Sequence, residues 1–116
     1  MRARAHRDAA LNLERIIEAV SDQAINPYAG RAVVELECRA AFHWIAYGYA
    51  QKHHAHPETA DGLDISLRRT GEPALADLWL RIDAIRRAAR SAPKASPETA
   101  HAALNVLPDI RAWASR

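Results

Sequence analysis

The chain has 116 residues, 49% of them hydrophobic, with 16 Lys and Arg against 14 Asp and Glu for a formal charge of +2. That length suits one domain over residues 1–116, with a single core and no room for a second. So small a charge excess does not by itself argue for nucleic acid, and a lone cysteine excludes an intrachain disulfide, which fits a reducing, cytoplasmic setting.

The N-terminal stretch MRARAHRDAALNLERIIEAV is basic and then amphipathic. Glu14, Arg15 and Glu18 interrupt its apolar run, so it is neither a signal h-region nor a membrane span. Leu13, Ile16, Ile17, Val20 and Ala24 recur at helical spacing and predict a helix over about residues 7–24, with Glu14, Arg15, Glu18 and Asp22 outside. Asn26-Pro27 closes it, because the residue before proline is pushed out of the α region.

A long helix follows, roughly Tyr28 to His54, apolar on nearly every face. Val34, Cys38, Ala41, Phe42, Ile45 and Tyr49 make one row, and Val33, Leu36, Ala40 and Trp44 another. Such a helix forms the centre of a core or is shared between a core and a partner surface. Its single polar stripe is Glu35, Arg39, His43 and Tyr47, each four residues from the last. Cys38 lies on the apolar side and is core filler rather than a nucleophile.

After His56, Pro57 suits the first turn of a short helix carrying Leu63 and Leu67, with Gly71 as its cap. The next helix opens at Pro73, and Leu75, Leu78, Trp79, Ile82, Ile85 and Ala89 form its inner stripe. Asp77, Arg81 and Asp83 are placed on its back. Arg86, Arg87 and Arg90 gather at its C-terminal end, where the helix dipole favours cations. SAPKASP is a loop, and Ser96-Pro97-Glu98 opens the last helix. Ala100, Ala103, Leu104, Leu107 and Ala114 are its inner positions. Pro108 is expected to kink or break it, and Trp113, off that stripe, is the tryptophan expected to be exposed.

Strand-like alternation is almost absent, so the chain is all-α. Short loops between four long stripes predict an up-and-down antiparallel four-helix bundle with an additional short helix between helices two and three.

Two sets of residues stand out as candidate ligand sites. The Glu35, Arg39, His43, Tyr47 stripe is either a row of solvated i,i+4 pairs or a polar groove at a dimer seam, where Arg39 binds a phosphate or carboxylate and His43 titrates. Arg86 and Arg90, four apart, suit a phosphate or an acidic partner. His53, His54 and His56, with Asp61 and Asp64, are metal-ligand types, but adjacent helical histidines diverge, and no metal or other cofactor is expected.

The order of elements resembles the HEPN family, the small helical domains found beside minimal nucleotidyltransferases. An amphipathic first helix is followed by a long alanine-rich helix opened by YAGRA, then by a short leucine-bearing helix after histidines. A third long helix ends in arginines, and a last helix begins after a proline-containing loop. The resemblance covers about residues 8–114. It implies a homodimer through the central helix, acting as a ribonuclease toxin, a nucleotide- or RNA-binding module, or a nucleotidyltransferase partner. Catalytic members carry an arginine and a histidine four to six residues apart near the last helix. Here ten residues separate Arg90 from His101. The expectation is therefore a non-catalytic binding or partner subunit, off the membrane. The alternatives are a toxin of toxin-antitoxin type that uses Arg39 and His43, or a structural dimer without ligand.

Overall fold

A computed structural model describes residues 2–21, 27–55, 57, 59–91 and 97–116. Five α-helices make up the bundle: α1 (Ala3–Ser21), α2 (Pro27–His53), α3 (Leu63–Arg69), α4 (Pro73–Ser91) and α5 (Pro97–Ala114). Four are long, and the short α3 is inserted between α2 and α4, as the sequence predicts. Three long helices begin on a proline, at Pro27, Pro73 and Pro97, where the missing N–H has no intrahelical acceptor to lose. The expected contributions of Asp22, Ala24, Asn26, His56 and Ser96 fall outside the described residues.

Helix ends differ from the sequence reading at three places. α1 starts at Ala3 rather than near residue 7, because four alanines in its first eight residues carry helix propensity upstream. α3 starts at Leu63, behind a left-handed Gly62 at φ +70°, so Pro57 lies before the helix and not in its first turn. Pro108 leaves α5 unbroken: it is exposed, and the carbonyl it deprives of a donor can turn to water. Gly71 acts as expected. It sits at φ +81°, its N–H donates to the Arg68 carbonyl at 3.2 Å, and the Glu72 N–H donates to the Leu67 carbonyl at 2.8 Å, which is a Schellman ending.

α2 is the axis. α1, α4 and α5 each pack on it, α5 also packs on α4, and α3 packs on α4. α4 runs antiparallel to α2: Arg90 at its end meets Glu35 near the start of α2, and Glu72 just before it meets His53 at the end of α2. α5 packs against α2 at Gly48, through Trp113 and Ala114. One apolar cluster joins Ile17 of α1, Trp44 and Ile45 of α2, Leu67 of α3, Trp79 and Ile82 of α4, and Leu107 and Ile110 of α5. Among the described residues no helix is long and apolar enough to cross a membrane.

Several faces turn differently from their helical pattern. Ile16 is 40% exposed, whereas Glu14, placed outside, is drawn inward. Its carboxylate accepts the Trp44 indole N–H at 3.0 Å and the Arg111 guanidinium at 2.8 Å, tying three helices together. Asp83, expected on the back of α4, is buried between Arg86 and Arg87. Trp113, expected to be exposed, is buried. Its indole donates to Glu72 at 2.9 Å, and the Lys52 ammonium sits 4.8 Å from its ring.

Candidate functional site

The polar stripe of α2 lies on the side away from α5. Nine positions, or two and a half turns, separate Arg39 from Gly48, so the two residues point in opposite directions. Along this strip Ala32 and Arg39 are exposed, and Glu35, His43 and Tyr47 are half-buried.

The strip divides between its neighbours. Towards α4, Glu35 is gripped by Arg90, whose Nε and Nη2 donate to separate carboxylate oxygens, the second at 3.0 Å. Arg31 of α2 donates from Nη2 to the Arg90 carbonyl at 3.4 Å. Two turns back on α4, Asp83 accepts from Arg86 Nε at 3.0 Å and from Arg87 Nη2 at 3.0 Å. Glu35 is held below the usual carboxylate range chiefly by the Arg90 hydrogen bond. Burial opposes that shift, and the charges of Arg90, Arg86 and Arg39 reinforce it. Residues that the sequence offered as two separate candidates, Glu35 and Arg39 on α2 and Arg86 and Arg90 on α4, thus form one cluster.

Arg86, Arg87 and Arg90 ion-pair there with the carboxylates Glu35 and Asp83, while Arg31 bonds the Arg90 carbonyl and Arg39 acts on Glu35 through its charge. Arg86 is largely shielded and acts as a strut, while Arg87 and Arg90 keep 74% and 54% of their side chains exposed. Cys38 lies buried beneath, its thiol pushed up to about 11 mainly by burial, so it is no nucleophile near neutral pH.

Towards α1, His43 Nδ1 stands 2.9 Å from His6 Nδ1. Burial, and then the charge of Arg39, hold the His43 imidazole below its ordinary pKa. Tyr47 packs edge-on against Trp44, with centroids 6.1 Å apart. His43 therefore belongs to the α1 contact, and Tyr47 packs on Trp44 of its own helix.

Sequence reasoning missed Glu37. It is fully buried on α2, and neither carboxylate oxygen has a hydrogen-bond partner. Burial pushes its carboxyl up to about 8, so it is protonated at neutral pH. The signal was present, since Glu37 lies four residues after Val33 and four before Ala41, both buried.

Elsewhere, His53 faces Glu72 at 3.4 Å and His54 is exposed with φ +54°. Among the described residues no three His, Cys, Asp or Glu side chains gather to hold a metal ion. An open groove between the start of α4 and the end of α5, floored by Leu75, Leu78 and Trp113, lies at the opposite end of α4 from the arginines. In comparisons with protein-family models, curated proteins and solved structures, none matches the chain.

Proposed function

We propose that this chain is a non-catalytic, HEPN-like binding or partner subunit whose working surface is the arginine cluster between α2 and α4. The observation that carries this reading is the convergence of three arginines, Arg86, Arg87 and Arg90, on two carboxylates, Glu35 and Asp83, with Arg31 bonded to the Arg90 carbonyl and the Arg39 charge acting on Glu35. The excess of positive charge is local, although the chain as a whole is only +2. Arginines held in place by carboxylates, with the Arg87 and Arg90 side chains still exposed, suit recognition of phosphate, so the ligand is a nucleotide or an RNA segment. The open strip of α2 beside the cluster is the face through which two copies pair, or on which a nucleotidyltransferase partner docks.

Native mass spectrometry of the protein purified gently from its host tests this reading. A dimer, or a chain carrying a nucleotide or a second protein, is the expected result. A bare monomer that takes up no added nucleotide or RNA would overturn it.

A second reading, a ribonuclease using Arg39 and His43, draws on the depressed His43 pKa, which leaves the imidazole neutral and able to accept a proton near pH 7. Cleavage of RNA by the pure protein, lost in His43→Ala, is the result that would favour it.

A further inference from the structure

At the end of α4 away from the arginines, α4 and α5 frame an open groove floored by Leu75, Leu78 and Trp113, with Asp109, Ala112 and Arg116 along its α5 side. Those three α5 residues are exposed and share one stripe, since Ala112 comes three positions after Asp109 and four before Arg116. Trp113 is a fixed part of the floor: its indole N–H donates to Glu72 at 2.9 Å, and the Lys52 ammonium lies 4.8 Å from its ring. With that donor engaged, the floor offers apolar surface, and the charges of Asp109 and Arg116 stand two turns apart on the rim. Such a groove suits a helix laid along it rather than a polar small molecule, which needs hydrogen-bonding groups that converge inside.

We propose that the groove receives α5 of a second copy of this chain, run antiparallel about a two-fold axis at Ala112. Asp109 and Arg116 are opposite in charge and seven positions apart, about 10.5 Å along the helix. Two such helices crossing antiparallel at Ala112 set each Asp109 against the Arg116 of the other copy. The stripe is thus its own complement, which is what an isologous contact requires. Among the described residues neither side chain has an ion pair within the chain that would compete. Ala112, with only a methyl group at the crossing, lets the two helices come close enough for Leu78 of each copy to reach the α5 of the other.

Apolar burial in the groove drives the contact, and the charges fix its direction, because exposed ion pairs contribute little by themselves. A parallel arrangement would set Asp109 against Asp109 and Arg116 against Arg116, and like charges across an interface select against it. The contact is separate from the polar strip of α2, which lies on the side away from α5. The arginine cluster, at the other end of α4, stays open on both copies. Pairing through α5 therefore needs no phosphate ligand and stands apart from that reading.

Sedimentation equilibrium of the full chain over a range of concentrations at low salt, alongside Asp109→Arg, Arg116→Asp and the double reversal, is the test. Both positions are exposed, so the variants keep the fold, and circular dichroism checks that they do. The unmodified chain is expected to dimerise. Each single reversal puts like charges at both ends of the contact and should weaken the dimer about tenfold or more. The double reversal remakes both pairs with the signs exchanged and should bring the dissociation constant back to within about threefold of the unmodified chain. A chain that stays monomeric, a dimer that neither single reversal weakens, or a double reversal as weak as the singles would overturn the contact. None of these results bears on phosphate binding at the arginine cluster, which is read separately with RNA.

Discussion

Gly48 of α2 lies flat against Trp113 of α5: a Cβ built on Gly48 would stand 2.5 Å from Trp113 Cζ3 and 2.8 Å from the Ala114 Cα. The absence of a side chain lets the two helices approach, and the gap so made receives the Trp113 ring. Gly48→Ala gains helix propensity of about 1 kcal/mol. It also forces a clash with backbone that cannot yield cheaply, and overpacking typically costs about 1–3 kcal/mol. A net destabilisation is expected, read as a lower urea midpoint with an unchanged m-value. An equal or higher midpoint would show that α5 is not held at this distance.

Glu37 gives the fold a distinctive pH dependence. Its folded-state pKa is raised from 4.5 to about 8, so between those values the native state holds a proton that the unfolded state has released. Stability from this group is greatest below about 4.5. It declines as pH rises through the window, with a limiting slope of about 1.4 kcal/mol per pH unit, and levels off above about 8. Glu37→Met, similar in length and apolar, is expected to stabilise the protein and to do so more at pH 9 than at pH 5. Chemical denaturation at the two pH values checks this, and an identical increment at both would contradict it.

Glu14 bridges α1, α2 and α5 through Trp44 and Arg111. Glu14→Ala leaves a buried indole N–H without its acceptor, a loss of about 1–3 kcal/mol. The Arg111 arm contributes far less, since that side chain is 46% exposed and its ion pair is screened by solvent. Arg111→Ala should therefore shift the denaturation midpoint much less than Glu14→Ala, and comparable shifts would mean that the indole bond is not the main term.

Much of this architecture is legible in the sequence where local chemistry decides it. Prolines 27, 73 and 97 mark helix starts, and Gly71 marks a helix end, because each acts within its own turn. The fold class follows from apolar spacing. The candidate site was only half legible: Glu35, Arg39, Arg86 and Arg90 were each singled out, but 55 residues separate Glu35 from Arg90, and helical period says nothing about which face meets which. Trp113 was misread for the same reason, since the slot that buries it is made by Gly48 on another helix. Glu37 was hidden by its chemistry. A carboxyl is placed outside by default, and here a raised pKa makes the inside tolerable.

Releasing Arg90 is expected to strengthen the proposed site. Glu35 occupies the Arg90 fork, so Glu35→Gln should raise affinity for a phosphate-bearing ligand while removing one carboxylate from the cluster. The pair also sets an acid limit. Glu35 has a lowered folded-state pKa, so its stabilising contribution is present above the ordinary 4.5 and is lost as pH falls through the folded value. Fluorescence anisotropy with a labelled nucleotide checks the first point, and weaker binding by Glu35→Gln would assign the carboxylate to ligand recognition instead.

The most direct measurement of the central claim is the salt dependence of binding to a short single-stranded RNA, for the unmodified chain and for Arg39→Ala. Each phosphate contact contributes a slope of about −0.7 in log affinity against log salt for a single strand. The account predicts measurable binding at low salt, weakening steeply with added salt, and a slope shallower by about one contact in Arg39→Ala. No binding at low ionic strength, or the same slope in the variant, would contradict the assignment of the arginine cluster as the working surface.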